Sequence, residues 1–145
     1  MKVQVFLFLL LCLSACSQIK IGSKLTNADI EQIKKLHLLD NGEIILKFYS
    51  EYKNSVAGNF FTNKRIATYW LDEKDSSKNQ VSSAYYQDIK SIDTSYYAGA
   101  TYCPYMLITT SDSLSFKVCV DGKKEEIKVF FEEAINKWLQ TKKAT

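Results

Sequence analysis

The chain has 145 residues, of which 46% are hydrophobic and 13% aromatic, with four cysteines, one proline and a formal charge of +3. That composition supplies the apolar mass for one domain with a real core and excludes disorder as the main state. Basic and acidic residues are interleaved along the chain, which excludes the basic stripe of a nucleic-acid binder.

The first element is a leader. Lys2 precedes an apolar run over residues 3–13, interrupted only by Gln4 and Cys12, and the run closes on Leu13-Ser14-Ala15-Cys16. A basic start, a short apolar stretch and small residues before a cleavage point form a secretory signal. The run falls short of the ~20 apolar residues that a membrane-spanning helix needs. The order Leu13, Ser14, Ala15, Cys16 resembles the lipobox of bacterial lipoproteins. That resemblance implies cleavage after Ala15, a diacylglyceryl group on the Cys16 thiol and acylation of the new amino terminus by a fatty acid such as palmitate. It places the protein in the bacterial cell envelope, with the membrane as a partner through Cys16. Ser17, rather than aspartate, after the cysteine points to the periplasmic face of the outer membrane if the host is Gram-negative. The chain thus divides into a signal peptide (1–15), a lipid-anchored tether (16–25), polar and able to reach at most ~30 Å, and a single domain (26–145).

Within the domain, Thr26 with Asp29 three residues on resembles a capping box, and Ile30, Ile33 and Leu36 or His37 give a helical stripe, which predicts a short helix over 27–36. Asp40-Asn41-Gly42 is a turn signal. From Glu43 the period changes to two, with Ile44, Leu46 and Phe48 on one face, and a strand is expected over 43–51. Further strands are expected over 56–62, 65–71, 81–86, 89–97, 102–109 and 114–120, with turns at Lys53-Asn54-Ser55, Asn63-Lys64, Gly99-Ala100 and Asp121-Gly122 and a polar loop over 72–80. Seven strands result. Ile127, Phe130, Phe131, Ala134, Ile135, Trp138 and Leu139 then recur at three-and-four spacing, which makes an amphipathic helix with a Glu133–Lys137 pair on its polar face.

Seven strands followed by one amphipathic helix with a tryptophan resemble the pleckstrin-homology-like superfold, in particular bacterial PH-like and GRAM-type domains. Leu39-Asp40-Asn41-Gly42-Glu43-Ile44 looks like the turn that opens strand one of that group. Phe61-Thr62-Asn63-Lys64-Arg65-Ile66 looks like its second hairpin, and Tyr86-Gln87-Asp88-Ile89-Lys90-Ser91-Ile92 like the entry to strand five. The resemblance spans residues 38–139. It implies a mainly β fold: a small seven-stranded barrel closed by the carboxyl-terminal helix, preceded by a short amino-terminal helix. Trp138 would be buried in the manner of the family. Lys47 and Lys53 beside Glu51 do not form the basic cluster that a phosphoinositide headgroup requires.

Cys103 and Cys119 remain after the leader and the anchor are set aside, in a compartment that favours oxidation. Pairing them directly across a hairpin also sets Tyr105 opposite Lys117 and Leu107 opposite Ser115, and a disulfide follows. The alternative is two free thiols. His37, the only histidine, sits at a helix end without an oriented nucleophile beside it, so no catalytic residue is assigned. Two cysteines make no metal site, and no cofactor is expected. Paired tyrosines place one ring on each sheet face, which leaves Tyr85, Tyr97 and Tyr105 as candidate partner contacts or, alternatively, as half-buried rings covering the sheet. Lys20, Lys24, Lys34 and Lys35 lie near the anchor and would help to orient it on anionic lipid.

The expectation is a non-enzymatic lipoprotein that presents a PH-like module to a protein or peptide in the envelope, for immunity, phage exclusion or envelope assembly. The alternative is a small-ligand or lipid carrier. A carrier needs a cavity, and Phe48, Phe60, Phe61, Trp70 and Phe116 are available to fill one.

Overall fold

The computed structural model describes residues 19–97, 99 and 102–144. The leader, the lipobox Leu13, Ser14, Ala15, Cys16 and Ala100 of the expected Gly99-Ala100 turn lie outside the described residues.

The chain is mainly β, with two antiparallel sheets and a carboxyl-terminal helix. The first sheet contains β1 (Ile19–Ile21), β2 (Ile45–Tyr49), β3 (Ala57–Thr62), β4 (Arg65–Trp70) and β5 (Gln80–Tyr85), in that spatial order. The second contains β6 (Ile89–Ser95), β7 (Tyr105–Thr110) and β8 (Ser115–Cys119), also in order. The expected closed barrel is not formed. A 3-10 turn over Tyr86–Asp88 carries the chain from one sheet to the other, and among the described residues no ladder links β5 to β6 or β8 to β1.

Two helices cover what the sheets leave open. α1 (Asn27–Lys35) begins with a reciprocal cap: the Asp29 N–H donates to Thr26 Oγ1 at 3.1 Å and the Thr26 N–H donates to Asp29 Oδ2 at 2.9 Å. It ends at His37, whose φ of 58° is left-handed. There the His37 N–H donates to the Lys34 carbonyl and the Leu38 N–H to the Ile33 carbonyl, and Leu38 and Ile33 are buried in one cluster. This is a Schellman ending, so the lone histidine terminates a helix with its backbone. α2 (Lys124–Lys143) lies against the Tyr86–Asp88 turn and β6, and buries Ile127, Phe130, Phe131 and Ala134. Trp138 is only partly buried, and its indole N–H donates to the Ile89 carbonyl at 3.2 Å. Leu139, expected on the apolar face, is exposed. Glu133 pairs with Lys47 of β2 at 3.1 Å, where pairing with Lys137 was expected.

Both faces of the middle of the first sheet are therefore buried. Phe48, Phe60, Ala67 and Tyr69 meet Ile33 and Leu38 on the α1 side, while Phe61, Ile66 and Ala84 meet Met106, Ile108, Val118 and the α2 rings on the other. Every residue of β3 is buried. Gly58 is required there, because a Cβ would lie 2.4 Å from the Tyr69 ring.

Three details of the sequence reading are corrected. The strand expected to show Ile44, Leu46 and Phe48 on one face is bulged: Ile45 pairs with Thr62 and Lys47 with Phe61, so Leu46 is extra. The bulge sends Ile45 and Phe48 to the α1 side and Leu46 and Tyr49 to the other, and leaves Ile44 exposed. The segment expected as a free tether is structured from Ile19. β1 pairs with β2 through Ile19–Tyr49, Lys20–Phe48 and Ile21–Lys47, and a 3-10 turn over Gly22–Lys24 presses against the Ile45 backbone. Trp70 and Phe116, expected as barrel filling, are not interior: Trp70 is exposed and Phe116 half-buried.

Candidate functional site

Two constellations stand out, a buried charged corner and an open groove. The corner joins two of the three segments that carried the resemblance, 39–44 and 61–66. The Arg65 guanidinium, 3% exposed, donates through Nε to Glu43 Oε1 at 3.0 Å and through Nη2 to Glu43 Oε2 at 2.8 Å. Its Nη1 reaches the His37 carbonyl at 3.3 Å, and Nη2 also lies 2.7 Å from Asp40 Oδ1. Thr62 Oγ1 donates to Glu43 and receives the N–H groups of Lys64 and Arg65. The Tyr85 hydroxyl donates to Asp40 Oδ2 at 2.9 Å, and its ring stacks 4.3 Å from the guanidinium carbon.

The corner is balanced in charge, because the Lys64 ammonium, 3.9 Å from Asp40 Oδ2, joins Arg65 against the two carboxylates. The Tyr85 hydroxyl and then Arg65 hold the Asp40 carboxyl below the usual carboxylate range. Burial works against the Arg65 charge, but its hydrogen bonds to Glu43 and Asp40 outweigh it and hold the guanidinium above its ordinary value. With its donors turned inward, Arg65 fastens α1's ending and the 40–43 turn to the hairpin between β3 and β4. The lysines considered at the sequence level are engaged elsewhere: Lys47 with Glu133, and Lys53 with Glu73 at 3.5 Å and with the Tyr52 ring.

The groove lies where the barrel fails to close, between the outer edges of β5 and β8. Each of these strands pairs on one side only among the described residues. One cleft of about 760 Å³ runs along Val81–Tyr85 toward Asp88, Asp112 and Leu114. A second, of about 870 Å³, shares Val81, Ser82, Ser115 and Phe116 with it and continues toward Trp70, Lys117 and Cys119. Trp70, Val81 and Leu114 expose apolar surface along this path. The Asp88 carbonyl fixes one end by accepting the Ser111 N–H at 2.8 Å.

Asn59 and a disulfide fix the other end. From β3, Asn59 Oδ1 accepts the Cys119 N–H at 3.0 Å and the Thr68 hydroxyl at 2.9 Å, while its Nδ2 donates to Glu51 at 3.1 Å. Cys103 and Cys119 are bonded, with Cα atoms 5.7 Å apart. The expected register, however, is displaced by two residues. Tyr105 faces Cys119 and Leu107 faces Lys117, so Cys103 precedes the strand and reaches Cys119 diagonally. An even displacement keeps both thiols on one face, which is why the bridge survives it.

No family model matches the sequence, and no curated protein matches it. Among solved structures, the chain is similar to a DUF1696-family protein with a pleckstrin-homology domain from Shewanella loihica PV-4, at 17% identity and a TM-score of 0.43, over 70% of this chain and 91% of that one.

The three tyrosines chosen from the sequence do not form one patch. Tyr85 belongs to the charged corner, with its hydroxyl bonded to Asp40, and it also lines the end of the groove. Tyr97 is 86% exposed just beyond β6. Tyr105 is half-buried under Lys117, whose ammonium lies 4.4 Å from the ring centre. The second and third are thus near the disulfide end of the second sheet, and Tyr102 joins them beneath the same lysine at 5.8 Å. Sequence reading missed the groove residues Val81, Leu114 and Phe116. Their signal is an apolar residue beside serine, in Val81-Ser82 and Leu114-Ser115-Phe116, which also describes an ordinary half-buried strand. Among the described residues, no cluster of metal-ligating side chains occurs, and no helix is long and apolar enough to cross a membrane.

Proposed function

We propose that this protein is a lipid-anchored envelope lipoprotein whose PH-like domain binds an extended segment of another protein. The observation that carries the reading is the groove between β5 and β8. Two free sheet edges leave backbone donors and acceptors available to an added strand, and exposed Trp70, Val81 and Leu114 offer apolar seats for alternate side chains. Asp88 and Asp112 make one end acidic while Lys117 offsets Glu51 at the other, a gradient that would favour one direction of the bound chain.

Supporting the location are the lipobox-like leader and the Cys103–Cys119 disulfide, which persists in an oxidising compartment. Binding is favoured over catalysis by the engagement of the charged residues: Arg65 and Lys64 neutralise Glu43 and Asp40, and His37 acts as a helix terminator. It is favoured over ligand carriage by an interior in which Phe48, Phe60, Phe61, Phe130 and Phe131 are wholly buried against neighbours.

The test is selection of displayed random peptides on the soluble domain from Ile19 onward, followed by binding measurements on Val81→Asp and Leu114→Asp. Both positions are exposed, so the fold should persist. Selected peptides should bind in a strand-like conformation and weaken sharply on either variant. Binding that is indifferent to both substitutions would place the partner site elsewhere.

A further inference from the structure

The incorporation of β1 into the first sheet changes what a lipid on Cys16 would do. With β1 starting at Ile19, only Ser17 and Gln18 separate Cys16 from hydrogen-bonded sheet. Three residue steps span at most about 10 Å. A membrane attached at Cys16 must therefore lie against whatever surface surrounds the start of β1.

That surface is a crevice of about 320 Å³ between β1 and the first half of α2. Ile19, Ile21 and Val129 form its apolar walls, and Lys20, Glu125 and Glu126 form its rim. Ile21 is 53% exposed and Val129 42%, which leaves two large aliphatic side chains in water on facing elements. One oxygen of Glu126, Oε2, is buried and has no hydrogen-bond partner among the described residues. Apolar walls suit the boundary between headgroups and acyl chains, and the mixed rim suits a headgroup that carries both a phosphate and an amine.

We infer that the β1–α2 edge is the face that docks on the bilayer, with Ile21 and Val129 entering the boundary between phospholipid headgroups and acyl chains. The inference rests on the reading of Cys16 as lipidated and extends it from attachment to orientation. The orientation has a direct result for the groove. β1 and β5 are opposite edges of the first sheet, separated by four strand spacings, or roughly 19 Å. With β1 against the membrane, β5 and its groove are held away from it, open to partners in the adjoining compartment.

The experiment uses the full chain isolated with its acyl groups and reconstituted into phosphatidylethanolamine–phosphatidylglycerol vesicles that contain a lipid-borne nitroxide. A fluorophore is placed on single added cysteines, Ile21→Cys, Val129→Cys or Ser83→Cys, all at exposed positions and with the native pair oxidised. Emission from 21 and 129 should be quenched several-fold more than emission from 83. On protein whose Cys16 is shown by mass spectrometry to be acylated, equal quenching at the three sites, or stronger quenching at 83, overturns the docking face and leaves the anchor standing. An unmodified Cys16 overturns both.

Discussion

The side-chain oxygen of Asn59 accepts the backbone N–H of Cys119 across the gap between the two sheets, at 3.0 Å. One residue of β3 thus ends the exposed edge of β8, and it does so while also bonded to Thr68 and Glu51. Asn59→Leu would leave three polar groups without this partner. Unfolding in urea should show a loss of about 1–3 kcal/mol, the cost of stranded buried hydrogen-bonding groups. Asn59→Asp, which sets a carboxylate beside Glu51, should be at least as harmful.

Arg65 and Glu43 form a buried bidentate pair, and removal of one partner strands the other. Arg65→Met should destabilise by about 3–5 kcal/mol, whereas the double replacement Arg65→Met with Glu43→Leu should recover much of that loss. Denaturant midpoints of the two single variants and the double variant measure the coupling. Simple addition of the single effects would contradict the arrangement described.

Acid should loosen the same corner. Asp40 is held below the ordinary carboxylate value, first by the Tyr85 hydroxyl and then by Arg65. A folded-state value below the unfolded one means that the contribution is present above an ordinary value of about 3.9 and is lost as pH falls through the lower folded value. Thermal midpoints recorded from neutral pH downward should fall in this range, and less steeply in Asp40→Asn. At alkaline pH the sign reverses for Tyr69 and Tyr86, whose hydroxyls burial pushes up. Their stabilisation is whole below about 10 and declines above it, so they should resist ionisation in an ultraviolet titration until the protein unfolds.

The Cys103–Cys119 bridge closes a loop of 16 residues in sequence. A loop of that size predicts a loss of about 3 kcal/mol on reduction, read as a lower thermal midpoint with reductant or in Cys103→Ser with Cys119→Ser. Peptide binding should also weaken, because Cys119 holds the far end of the groove.

Legibility in the sequence followed the range of the forces involved. The α1 cap, the amphipathic α2 and most strand limits are local consequences of capping chemistry and periodicity, and they are visible in Thr26, Asp29 and the Ile127–Ala134 stripe. The two cysteines were visible as a pair, although their register was not, since Pro104 and the chain before β7 let Cys103 approach from outside the ladder. The open groove was hidden because closure depends on whether β5 can pair with β6, and Tyr86–Asp88 looks like any short corner. β1 was hidden because three residues carry no period; only its partner β2 makes Ile19–Ile21 a strand. The bond from Tyr85 to Asp40 was hidden because nothing nearby in sequence announces a partner 45 residues away.

The bulge in β2 bears on what lengths this chain can have. Leu46 has no opposite number in β3, and Ile45 and Lys47 already pair with consecutive partners. Deletion of Leu46 would straighten the ladder without transposing its neighbours, at the cost of one half-buried side chain. The same deletion in β3 would invert every residue beyond it, in a strand where all are buried. Natural or engineered changes in length should therefore accumulate beside Leu46 and be excluded between Ala57 and Thr62.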